Sequence, residues 1–135
     1  MSKTVAIVVF AGVQSLDVTG PMDVFSEANR FLASADHYRL EVIGVEHGVM
    51  VCSNGLALHA HRHYSEALEA YDLLLVAGGP QLPYMNFGAI FDDWLRDASA
   101  RALPAPTERP APVTNATRPS RSNTGSPSCR RADRT

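Results

Sequence analysis

A chain of 135 residues is enough for one domain of ordinary size and not for two. Apolar side chains make up 45% of it, sufficient for a core, and a formal charge of −2 leaves no nucleic-acid footprint on the chain as a whole. No apolar run approaches a membrane span, and MSKTVAIVVF lacks a signal-peptide cleavage site, so a cytoplasmic location is expected.

In chain order, TVAIVVF (4–10) is a short, continuous, β-branched run and predicts a strand buried on both faces. Asp17 comes next, between Leu16 and Val18, where strand gives way to helix. Gly20-Pro21 predicts the opening of that helix, with Asp23 and Glu27 near its positive end. Val24, Phe25, Ala28, Phe31 and Leu32 recur at helical spacing and predict one buried stripe. YRLEVIGV (38–45) alternates as a strand does. In GVMVCSNGLALHAHR (48–62) the pair Asn54-Gly55 stands between two strand-like runs and predicts a hairpin. Ser65 predicts the cap of a short helix, SEALEA. DLLLVA (72–77) reads as a second fully buried strand, ending in Gly78-Gly79-Pro80. Ile90, Phe91, Trp94, Leu95 and Ala98 mark an amphipathic helix ending near Leu103. Helices alternating with apolar strands predict an α/β fold with a parallel sheet covered on both faces.

The pattern stops near residue 103. Pro104, Pro106, Pro110, Pro112, Pro119 and Pro127 interrupt the remaining segment, and Val113 is its one large aliphatic side chain. Residues 1–103 therefore form the domain, and 104–135 are expected to be a disordered, basic, Pro/Arg/Ser-rich tail. Six arginines there (Arg109, Arg118, Arg121, Arg130, Arg131 and Arg134) stand against Glu108 and Asp133. The tail reads either as a basic arm for an acidic partner or, preferably, as GC-rich coding sequence translated out of frame.

Ligands in parallel sheets bind beyond the carboxyl ends of the strands, and the loops carrying Asp17 and Gly78-Gly79 both come directly after strands. Asp17 either holds a turn or cap by accepting backbone N–H groups, or lies in a partly apolar pocket where it shares a proton with a nucleophile or ligand. Gly78 and Gly79 either make a tight turn needing positive φ, or bring backbone N–H donors to an oxyanion; Pro80 has no N–H to offer. No phosphate-loop pattern is present. His59, His61 and His63 alternate and so could line one strand face, yet no cysteine or carboxylate nearby completes a metal set; no metal and no cofactor is expected. Cys52, in a hairpin arm, and Cys129, in the tail, are poor nucleophiles and predict no disulfide framework.

Three stretches, VAIVVFAGVQSLDVTGPMDVFSEAN, GLALHAHRHYSEALEAYDLLLVAGGP and FDDWLRDASARA, together resemble the DJ-type/PfpI superfamily. Within it, the sequence is most similar to the N-terminal domain of AraC-type transcription regulators and to isonitrile hydratases. The resemblance covers residues 4 to about 102 and implies a parallel-sheet sandwich of flavodoxin-like, class I glutamine amidotransferase-like type. It implies acid/base assistance by Asp17 and oxyanion donation by Gly79. The family's cysteine, on a [SV]-C-T-G elbow, would come after FDDWLRDASARA, where this chain reads RALPAPTERPAPV. The fold is therefore expected to be incomplete, without the family's nucleophile and without catalysis of its own.

The leading expectation is a truncated ligand-sensing domain of an AraC-type regulator. It would take a small-molecule ligand and reach DNA only through a domain missing from this chain. The rivals are a fragment of an isonitrile hydratase-like or cysteine-hydrolase enzyme, and an interaction module using the basic tail. DLLLVA without its next strand would present an apolar edge and make the product marginal, with homodimerisation as the rescue.

Overall fold

The computed structural model of the chain describes residues 2–102. The expected tail, with Cys129, lies outside them. Among the described residues there are six strands, β1 (Lys3–Val9), β2 (Tyr38–Gly44), β3 (Val49–Val51), β4 (Ala57–His59), β5 (Arg62–His63) and β6 (Leu73–Val76). Two α-helices join them, α1 (Ser15–Ala28) and α2 (Ala89–Ala102). Four strands form one parallel sheet in the order β5-β2-β1-β6, and β3 and β4 pair as an antiparallel hairpin.

β1 is central because its sequence lets it be buried on both faces: Val5 to Val9 are at most 1% exposed. Each such aliphatic side chain contributes about 1.5–3 kcal/mol of burial. On one face Ile7, Val9 and Val42 pack with Val13, Val18, Met50 and Cys52, and Met22 of α1 lies against them. On the other, Ala6, Val8 and Ile43 pack with Tyr71 and with Phe91, Trp94 and Ala98 of α2. The Trp94 indole N–H donates to the Ala67 carbonyl at 2.8 Å, fixing α2 to the segment before β6.

Several elements differ from the sequence expectation. α1 begins at Ser15, not at Gly20-Pro21, so Asp17 is in its first turn and Pro21 lies inside the helix. There the missing proline N–H removes one intrahelical bond without ending the helix. The earlier start also sorts α1's apolar residues onto two faces. Val18 is buried and Met22 packs against the sheet core, whereas Val24 is exposed, as is Phe31 in the 3-10 turn that follows. The expected stripe of Val24, Phe25, Ala28, Phe31 and Leu32 left out Val18 and Met22, and of its members Val24, Phe31 and Leu32 are exposed. On α2, Ile90 is likewise exposed while Phe91, Trp94 and Ala98 are buried. The expected helix SEALEA shrinks to one 3-10 turn, Tyr64–Glu66, and its cap is the His63 ring, which accepts from the Ser65 N–H. DLLLVA is not fully buried: β6 ends the described sheet, and Leu73 and Val76 are 38% and 48% exposed.

The hairpin forms as its Asn-Gly pair predicts. Gly55 takes φ +87°, open to glycine at little cost, and the Cys52 N–H donates to the Leu56 carbonyl across the turn. In β2 the simple alternation fails at Glu41, which is buried: its carboxylate pairs with Arg62, itself bonded to Glu69.

Candidate functional site

β1 and β6 run parallel and adjacent, so the loops after them open at the same rim of the sheet. After β1 the chain turns at Gly12, with φ +85°, and the Val13 N–H closes onto the Phe10 carbonyl. The first turn of α1 then presents Asp17. After β6, Ala77 still bonds back to Val8, and Gly78 and Gly79 come next.

The two loops are joined by a reciprocal pair of hydrogen bonds. The Gly78 N–H donates to Asp17 Oδ2 at 3.0 Å, and the Gln14 N–H donates to the Gly78 carbonyl at 2.8 Å. Asp17 therefore does not cap its own helix. It reaches across the rim to a glycine 61 residues further along the chain.

Neither glycine has a positive φ, so what limits a side chain there is space, not backbone strain. A Cβ on Gly78 would lie 2.6 Å from Asp17 Oδ2. One on Gly79 would lie 2.9 Å from the Gly12 carbonyl oxygen and 3.1 Å from the Phe10 ring. Of the two candidate donors, Gly78 gives its N–H to Asp17. The Gly79 N–H has no hydrogen-bond partner among the described residues. Among the described residues Asp17 is exposed.

Sequence reasoning missed Glu46, which accepts the Ala11 N–H at 3.0 Å and so steadies the loop after β1 from the end of β2. Its signal was available: in EVIGVEHG it stands just past the end of a strand, as Asp17 and Gly78 stand past theirs.

The alternating histidines do not line one strand face, because β4 ends at His59 and β5, in the other sheet, begins only at Arg62. His61 Nδ1 accepts the Val42 N–H at 2.7 Å, and His63 Nδ1 accepts the Ser65 N–H while Nε2 donates to the Val45 carbonyl at 2.9 Å. A neutral imidazole whose one nitrogen accepts carries its proton on the other, so neither ring has a lone pair left for a metal. Among the described residues no group of three His, Cys, Asp or Glu side chains is placed to hold one. Cys52 is 3% exposed in the core beside Val13 and Val18, and burial pushes its thiol above the ordinary cysteine value. No described helix is long and apolar enough to cross a membrane.

The same arrangement has relatives among known proteins. A protein from Streptomyces lividans, named "Uncharacterized protein in cpoL 5'region", is 36% identical over 98 residues, or 73% of this chain and 67% of its own. The crystal structure of an AraC family transcriptional regulator from Pseudomonas putida superposes with a TM-score of 0.60 at 26% identity, covering 73% of this chain and 59% of that one. A THiJ/PfpI family protein from Pseudomonas syringae gives 0.62 at 18% identity over 76% of this chain and 40% of its own, a likeness of fold. The chain thus spans between 40% and 59% of these two solved chains. Residues 3–104 match the sequence profile of the DJ-1/PfpI family, and to that family the chain belongs.

Proposed function

We propose that this DJ-1/PfpI domain is the ligand-sensing part of an AraC-type regulator and binds a small polar molecule at the rim shared by Asp17 and Gly79. The observation that carries the reading is the Asp17–Gly78 hydrogen bond. It places an exposed carboxylate acceptor next to the Gly79 N–H, which has no partner among the described residues. A ligand offering one donor and one acceptor matches that pair. The 26% identical AraC family regulator supports the regulatory assignment.

Covalent chemistry is not part of this reading. The described cysteine, Cys52, is buried with a raised thiol pKa, so it does not supply an attacking thiolate at this rim. Contact with DNA belongs to a further domain, and the described residues supply only the sensing half. The reading against it, an isonitrile hydratase-like enzyme, uses the same carboxylate for acid/base work.

One experiment separates the two. The full chain is incubated with a small alkyl isonitrile and with the corresponding N-alkylformamide, observed by ligand NMR, with Asp17→Asn and Gly79→Ala beside it. Binding of the formamide without conversion of the isonitrile, weakened in both variants, is the expected result. Conversion of isonitrile to formamide overturns the sensing reading in favour of the enzyme. Binding that both variants leave unchanged overturns the site.

A further inference from the structure

β5 is two residues long and lies at the outer edge of the sheet, paired with β2 at Ile43–Arg62 and Gly44–His63. So short a strand offers few ladder bonds. His61, just before it, adds two at one place. Its backbone N–H donates to the Val42 carbonyl at 2.8 Å, and its ring Nδ1 accepts the Val42 N–H at 2.7 Å. The imidazole thus supplies the acceptor that a longer strand would supply with a carbonyl.

That acceptor exists only while the ring is neutral. A proton on Nδ1 sets two N–H donors against each other at 2.7 Å, so the ring must swing away. Imidazoles change charge between about pH 5 and 8. His63 meets the same conflict at Nδ1, which accepts the Ser65 N–H at 3.3 Å, but its Nε2–H bond to the Val45 carbonyl survives protonation. The groups around them share one cavity of about 190 Å³: Glu46 and His47 from the loop after β2, His59 from β4, Arg62 from β5 and Glu66 from the turn beyond. His47 stacks on His63 at 3.8 Å between centroids. Arg62 is already tied to Glu41 of β2 and to Glu69, so its charge is largely answered. Glu46 and Glu66 are the acidic groups that face the rings.

We propose that His61 is an acid-sensitive latch: neutral, it holds the edge strand β5 to β2; protonated, it lets that end go. The chain beyond β5 carries the consequence. Tyr64 packs edge-on against Phe91 at 5.2 Å, and Ala67 holds the Trp94 indole through its carbonyl. Releasing β5 therefore loosens the attachment of α2. This inference does not depend on the ligand reading of the Asp17–Gly79 rim.

The test is amide hydrogen exchange on the full ¹⁵N-labelled chain at pH 8 and pH 5, with Val42 referred to Val8 of the central strand. Loss of one hydrogen bond lowers the relative protection of Val42 by roughly fivefold at pH 5. In His61→Asn the side-chain carbonyl can take the place of Nδ1 without titrating, so Val42 protection there stays level. Should wild type and His61→Asn show the same pH dependence, the latch is overturned. Ring ¹⁵N shifts of the wild type give a second reading that needs no variant. A proton on Nδ1 at pH 8 overturns the proposal, and one on Nε2 supports it.

Discussion

Replacing Gly79 by alanine would set a methyl group 2.9 Å from the Gly12 carbonyl oxygen and 3.1 and 3.2 Å from two carbons of the Phe10 ring. Neither neighbour yields easily. Gly12 is pinned by its N–H bond to the Val51 carbonyl at 2.8 Å and by its positive φ, and Phe10 is 1% exposed. Overpacking of this kind costs about 2 kcal/mol. With a urea slope of about 1.5 kcal/mol per M for a domain of this size, the midpoint falls by roughly 1 M. Gly78→Ala is the comparison that makes the argument specific. Its new methyl would meet Asp17 Oδ2 at 2.6 Å, but that atom ends an exposed side chain that rotates aside. The cost is then one hydrogen bond, about 1 kcal/mol, and about half the midpoint shift. Urea unfolding monitored by the fluorescence of Trp94 measures both. A Gly79→Ala midpoint equal to wild type, or a larger loss in Gly78→Ala, would refute the reasoning.

Other contacts lead to further expected outcomes. Asp17→Asn keeps a carbonyl for the Gly78 N–H and should change the urea midpoint little, whereas Asp17→Ala should cost about 1 kcal/mol; equal losses would show that charge, not acceptance, sets the bond. Trp94→Phe leaves the Ala67 carbonyl without its indole donor beside a fully buried residue, and should cost about 1–3 kcal/mol by the same assay. The Tyr71 hydroxyl is buried without a hydrogen-bond partner among the described residues, and burial, then the charges of Glu41 and Glu69, push its phenol up to about 12. The folded chain therefore holds this proton where the unfolded chain releases it. The stability it contributes is present below the ordinary value of 10 and is lost as pH rises through about 12, and Tyr71→Phe should remove that alkaline loss. Val76→Lys, on the exposed part of β6, the last strand of the described sheet, should shift light-scattering mass toward the monomer; an unchanged mass would rule this strand out as the site of association.

How much the sequence disclosed was decided by how local each determinant is. TVAIVVF needs no context to be a central strand, and Asn54-Gly55 encodes its turn in two residues, so both were readable. The convergence of Asp17 with Gly78 was readable because a parallel sheet brings the loops after its strands to one rim. The start of α1 was not. Pro21 signals a helix beginning only when nothing upstream is helical, and here the preceding turn at Gly12 lets the helix begin at Ser15. Nor could the division of its apolar residues be read, since Val18 and Met22 against Val24 depends on which side meets the sheet. Glu41 was hidden for a similar reason. Its place in an alternating run marks an outward residue, and only the fold brings Arg62 over it. That Asp17 takes the N–H of Gly78 and leaves that of Gly79 is a matter of ångströms that no spacing records.

The most direct measurement is an acid titration of the full chain by NMR, tracking the Asp17 side-chain carboxyl carbon together with the amides of Gly78 and Gly79. The structure predicts that the Gly78 amide moves in step with the Asp17 carboxyl, because protonation weakens the acceptor 3.0 Å away. A Gly78 amide that stays still while Asp17 titrates would contradict the shared rim on which the functional reading stands.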